Sequence, residues 1–183
     1  LGRSPDPVFL CSDMPMDDMA QDEDFKKKYM FGLAMLLKKG LHLNVIHNLD
    51  RPFPELMLGL QGWIPLYMTG QISPFYLKGV QNNVYCHFLN VSGSAALSGE
   101  CVAGAHAQGR YELVKGGEAL RYFRDRAAAI QRKALPLMDI YREDQAAAFR
   151  AFLASDARST GARTRLLASP PISTLRNETL RAM

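Results

Sequence analysis

The segment that most restricts the fold is an amphipathic helix held between two short apolar strands. Residues 22–39 place Phe25, Tyr29, Leu33, Leu36 and Leu37 at intervals of three and four, which gathers them on one helical face. Acidic residues occupy the first turn, Lys38 and Lys39 the last, and Gly40 follows as a stop. That order of charge complements the helix dipole at both ends. On either side, residues 8–12 (VFLCS) and 41–46 (LHLNVI) are apolar and β-prone. A strand–helix–strand unit implies a parallel pair joined by a right-handed crossover. The expected class is α/β, a small, mostly parallel sheet flanked by helices, followed by a C-terminal helical segment.

Further along, residues 54–62 read as a weaker helix, opened by Pro54 and closing near Gly62. The aromatic stretch 63–76 (WIPLYMTGQISPFY) is broken by Pro65, Gly70 and Pro74, so it reads as poor helix and as a pocket wall built on Trp63, Tyr67 and Tyr76. Within and beyond it, residues 72–77, 84–91, 95–97 and 109–114 supply further strands. From Glu118 the texture turns helical, with Leu120, Phe123, Ala127 and Ile130 on one face. Pro136 ends or kinks that helix, and a second helical stretch is expected over 137–154. The division expected is an α/β core over 1–116, a helical extension over 117–155 that packs on the core or forms a homodimer interface, and a linker-like tail over 156–183. The opening LGRSPDP is itself linker-like, and we expect the chain to be a piece of a larger polypeptide.

A length of 183 residues suffices for one well-buried domain. No apolar run approaches the ~18 residues of a membrane span, and no signal-like start is present. The three cysteines, Cys11, Cys86 and Cys101, each sit in an apolar, strand-like context. Buried thiols in a reducing cytoplasm fit that pattern better than a disulfide framework. The formal charge of +4 combines acids crowded before Phe25 with arginines from Arg121 onward. Those arginines alternate with Glu118, Asp125, Asp139, Glu143 and Asp144, so they read as solvated helix faces rather than a nucleic-acid surface.

The candidate ligand site is a rim of polar residues just past strand ends: Ser12 and Asp13 after the first strand, His47, Asn48, Asp50 and Arg51 after the second, with His87 at its edge. In open α/β sheets ligands collect at the carboxyl ends of strands. Arg51 can grip a phosphate or carboxylate bidentately, so the expected partner is a small polar effector. The competing reading makes Asp13 and Asp50 caps, His47 a satisfied hydrogen-bonding residue, and Arg51 a surface partner of Asp50 or Glu55. No catalytic residue is assigned. Ser94 does not lie in G-x-S-x-G, because position 92 is serine. On an alternating strand, Tyr85, His87 and Leu89 share one face, Cys86 and Phe88 the other, and Cys86 reads as a buried thiol. The four histidines have no tight ligand spacing, so no metal and no cofactor is expected.

His47-Asn48-Leu49-Asp50-Arg51 followed by Trp63-Ile64-Pro65-Leu66-Tyr67-Met68-Thr69-Gly70 resembles a group of bacterial regulators in which a helix-turn-helix domain precedes a long α/β region. Ser12-Asp13-Met14-Pro15-Met16 and Leu166-Leu167-Ala168-Ser169-Pro170-Pro171-Ile172 look like further landmarks of that group. The resemblance implies a non-enzymatic, cytoplasmic effector-sensing and oligomerisation region. DNA would then be contacted only through a domain not present in this chain. A fainter resemblance is to one half of a phospholipase D-like domain, whose motif is H-x-K-x-x-x-x-D. Counting from His87, Leu89 stands at the lysine position and Ser94 at the aspartate position. That kinship implies a phosphodiesterase-type hydrolase acting as a dimer, or a copy in which the catalytic motif has decayed.

Overall fold

The structure, a computed structural model, describes residues 6–14, 23–79, 84–162 and 178. The chain runs β1 (Val8–Ser12), α1 (Glu23–Lys38), β2 (Leu43–His47), α2 (Phe53–Tyr67) and β3 (Ile72–Tyr76). It continues through β4 (Tyr85–Val91), β5 (Ala95–Val102), a short 3-10 turn (His106–Gln108), β6 (Arg110–Lys115), α3 (Gly117–Lys133), β7 (Leu135–Pro136) and α4 (Ala146–Asp156). One sheet holds seven strands in the order β6-β5-β4-β1-β2-β3-β7. The class is α/β, as the strand–helix–strand unit requires.

The expectation of a mostly parallel sheet is corrected. Among the described residues, only the β1–β2 and β2–β3 pairings are parallel. The pairings β1–β4, β4–β5, β5–β6 and β3–β7 are antiparallel. A parallel return needs a crossover of about a dozen residues or more, which the links from β4 to β5 and from β5 to β6 are too short to supply. Ser92 N–H donates to the Ala95 carbonyl at 2.8 Å, closing a tight hairpin between β4 and β5. The link from β5 to β6 is a brief excursion through the 3-10 turn.

Strand alternation sorts the core into two clusters. Val8, Leu10, Leu43, Val45 and Ile72 face Leu33 and Leu37 of α1 and Trp63, Leu66 and Tyr67 of α2. Phe9, Ile46, Leu89, Val91 and Ala96 face Leu120, Phe123 and Ala127 of α3. Leu43 and Ile72 are wholly buried at 0% exposure. Tyr29 and Leu36 also pack on the first cluster, while the side chain of Phe25 lies outside the described residues. On the same face as α1 and α2, the outer strands are less covered, and Leu113 remains 60% exposed.

Three local expectations change. The second helix does not close at Gly62; α2 continues through Pro65 to Tyr67. Proline forfeits one helical hydrogen bond, but Trp63, Leu66 and Tyr67 gain burial against the sheet, which holds the last turn in place. Residues 137–145 are not α-helical, because the chain after α3 is drawn to β3: Leu137 N–H donates to the Pro74 carbonyl at 2.9 Å. As a result the compact unit does not end at 116. The chain divides into Leu1–Ile140 and Tyr141–Met183, since α3 and β7 belong to the first unit. In the second unit, the rings of Tyr141, Phe149 and Phe152 cluster at 5.5–6.3 Å between centroids. Most of the tail over 156–183 lies outside the described residues. No described helix is long and apolar enough to cross a membrane.

Candidate functional site

Two cavities open near the ends of β1 and β2. The sequence joins their polar residues into one rim, but strand alternation sets His47 and His87 on opposite faces of the sheet, while Ser12 and Asn48 border both cavities. His47 follows Leu43 and Val45 onto the α1/α2 face, and His87 follows Leu89 and Val91 in register onto the α3 face.

The larger cavity has a volume of about 860 Å³. Leu10, Val45, Phe88 and Leu97 contribute to its floor, and Leu56, Leu60 and Trp63 of α2 to its wall. Asn90 stands within that apolar floor, because the register sets it opposite Leu10 on one side and Leu97 on the other. The far end carries His106 and Tyr111. Tyr111 lies over two glycines: a Cβ on Gly99 would meet its Cδ1 at 2.4 Å, and one on Gly109 its Cε2 at 2.9 Å. The Tyr111 hydroxyl donates to the His106 carbonyl at 3.3 Å, and the Cys101 Sγ lies 3.0 Å from His106 Nδ1. Burial, followed by the neighbouring Cys101, pushes the Tyr111 hydroxyl above the ordinary phenol range.

His47 forms the aromatic corner of this cavity. Its ring meets Trp63 edge-on at 5.1 Å and Tyr67 at 5.9 Å, while Trp63 and Tyr67 stack at 6.0 Å. The Tyr67 hydroxyl and His47 Nε2 share a hydrogen bond of 2.6 Å. Burial, aided by the Arg51 charge, lowers His47 to about 4, so the imidazole is neutral near pH 7. Burial pushes the Tyr67 hydroxyl well up, so the phenol keeps its proton. Of the expected pocket wall, Trp63 and Tyr67 line the cavity and Tyr76 does not.

Arg51 also lines this cavity, but its two terminal nitrogens are committed within the protein. One donates to Glu55, one helical turn on, and the other to the Met14 carbonyl at 2.9 Å. Both side chains are mostly buried, at 11% and 13% exposure. The bidentate grip on a phosphate or carboxylate is therefore already taken up by Glu55 and the backbone. Asp50 lines neither cavity; its N–H donates to Asn48 Oδ1 at 2.9 Å, which shapes the turn after β2. Ser12 accepts from the Met14 N–H at 3.2 Å in a similar local turn.

The smaller cavity, about 200 Å³, gathers Ser12, Asp13, Asn48 and His87 with Arg126 of α3. Asp13 and His87 are fastened three ways. The Asp13 N–H donates to the His87 carbonyl at 3.1 Å, the His87 N–H donates to Asp13 Oδ1, and His87 Nδ1 lies 3.2 Å from Asp13 Oδ2. Nearby, burial first and Asp13 second push the Cys11 thiol up to about 11, with Arg126 opposing. All three cysteines are free thiols, Cys86 and Cys101 buried.

The ligand rim expected from the sequence does not include Asn90, His106 or Tyr111, which line the larger cavity. Asn90 left a usable trace: it shares a strand face with Cys86 and Phe88, and a polar residue on an otherwise buried face marks a site or a buried hydrogen bond. His106 and Tyr111 left none, because their position depends on how the β5–β6 connection folds back. The chain matches no protein-family model, and a search of the curated proteins finds no match either.

Proposed function

We propose that this chain is a non-enzymatic ligand-sensing domain of a cytoplasmic bacterial transcriptional regulator, whose DNA contacts are made by a domain outside it. The observation that carries the reading is the cavity of about 860 Å³ over the β1–β4 floor. Small-molecule sites commonly occupy ~300–1,000 Å³, are mostly apolar, and hold a few placed polar groups. His47, Asn48 and Asn90 are such groups here. On the strength of the apolar floor and wall, the effector proposed here is a drug-sized, largely apolar molecule in place of the small polar one expected. Thermal-shift screening of a metabolite panel tests this with the wild type, Trp63→Ala and Leu97→Trp. A true effector raises the wild-type Tm and loses most of that effect in both variants. Equal stabilisation of all three would place binding elsewhere and remove the assignment.

The second reading is a phosphodiesterase-type hydrolase acting as a dimer, favoured by the Asp13–His87 pairing beside Arg126. An acid that fixes one imidazole nitrogen leaves the other oriented for chemistry. Against it stand Leu89 and Ser94, at the positions where that family's motif has its phosphate-binding lysine and the aspartate of its charge network. Hydrolysis of bis-p-nitrophenyl phosphate by the wild type, abolished in His87→Ala, would replace the sensing reading with this one.

A further inference from the structure

We infer that the large cavity selects an uncharged ligand and that Asn90 is the polar residue that selects it. This deepens the sensing reading and rests on it. Among the described residues lining the cavity, the only carboxylate is Glu55 and the only guanidinium or ammonium is Arg51. These two are joined to each other, so among the described residues the cavity presents no unpaired carboxylate, guanidinium or ammonium. Arg51's second nitrogen is held by the Met14 carbonyl, which fixes the guanidinium in that pairing. The aromatic corner adds no charge: burial keeps His47 neutral and Tyr67 protonated. The charged and titratable pair of the other face, Asp13 and His87, lines the smaller cavity and not this one.

A ligand carrying a net charge would have to leave water for an apolar floor with no counter-ion, which is strongly unfavourable. An uncharged ligand meets no such penalty. Its polar group finds Asn90, a primary amide set between Leu10 and Leu97. An amide side chain both donates and accepts, so it complements an uncharged amide, lactone, ketone or hydroxyl rather than an ion.

The matched probes are N-phenyl-naphthylamine, which is uncharged, and its sulfonated counterpart anilinonaphthalene sulfonate, which carries one negative charge on nearly the same apolar body. Both are titrated by fluorescence against the full chain. The neutral dye is expected to bind saturably at one site, roughly tenfold or more tighter than the sulfonate. In Glu55→Gln the hydrogen bond to Arg51 can persist while the charge is removed, so the affinity ratio should shift roughly tenfold toward the sulfonate. Leu97→Trp, which fills the cavity, should abolish neutral-dye binding while the far-UV circular dichroism stays unchanged. In Asn90→Asp the new carboxylate should weaken the neutral dye and weaken the sulfonate further. If the sulfonate binds the wild type as tightly as the neutral dye, or Glu55→Gln leaves the ratio where it was, the uncharged-ligand inference is wrong while the binding site stands. If neither dye binds saturably, or Leu97→Trp binds as well as the wild type, the cavity is not a ligand site and both conclusions fall.

Discussion

The aromatic corner around His47 makes a quantitative prediction about acid. Burial holds the folded imidazole at about 4, against 6.5 for an unperturbed histidine. The unfolded chain therefore binds a proton at this residue below pH 6.5, whereas the folded chain resists it until the pH nears 4. The stabilising contribution is fully present above the unfolded value and is lost as the pH falls toward the folded one. Integrating proton uptake between the two states gives a loss of about 1.4 kcal/mol at about pH 5.5 and about 2.5 kcal/mol at about pH 4.5. His47→Gln removes the titration while keeping a polar side chain beside Tyr67. Urea denaturation across this range, followed by fluorescence of Trp63, is the assay. Trp63 is the only tryptophan, and its ring lies 5.1 Å from His47, so the signal reports on the unit that holds the site. Every other ionisable group is common to both proteins, so the difference between the two pH profiles isolates His47. Parallel profiles for wild type and variant would refute the reasoning, and so would a wild type whose stability does not fall toward pH 4.5 any faster than the variant's.

The two faces of the sheet make a further prediction: Leu43→Ala, at a wholly buried position, should cost about 2–5 kcal/mol in chemical denaturation. Leu113→Ala, on the exposed outer strand, should stay within about 0.5 kcal/mol. Gly99→Ala should cost about 1–3 kcal/mol by driving a methyl into the Tyr111 ring, and Tyr111→Ala in the same chain should recover most of it. If the chain is a dimer at micromolar concentration by sedimentation velocity, Phe149→Asp with Phe152→Asp should dissociate it, since both rings stand more than 40% exposed on α4. A dimer that survives that pair of changes does not use α4.

The fold was most legible where local pattern and tertiary burial agree. The face of α1 was written in Leu33 and Leu37, and the strands flanking it in runs that alternate between two buried clusters. Sheet direction was less legible, because it is set by connection length and not by strand composition. The tight hairpin closed at Ser92 and Ala95 makes β4 and β5 antiparallel whatever their side chains are. The extent of α2 was hidden because Pro65 signals a break locally, and only packing of Trp63 and Tyr67 overrides it. At the site, all seven expected residues except Asp50 line one cavity or the other. The separation of His47 and His87 onto opposite faces follows from the one-residue alternation between Ile46 and His47, combined with an antiparallel β4 that no local signal specifies. The commitment of Arg51 to Met14 spans 37 residues of chain and is invisible without the fold.

The boundary between β1 and β4 is where the parallel half of the sheet meets the antiparallel half. Its outer end is clasped by Asp13 and His87, but its middle passes beneath the large cavity, with Leu10 and Asn90 facing each other across it. A molecule resting on that floor touches both strands at once and ties them together as a splint does. Occupancy would then appear as slower amide exchange along β1 and β4, with β6 at the sheet's edge little changed. On the sensing function proposed above, the message passed onward would be a change in how readily the sheet parts along one line.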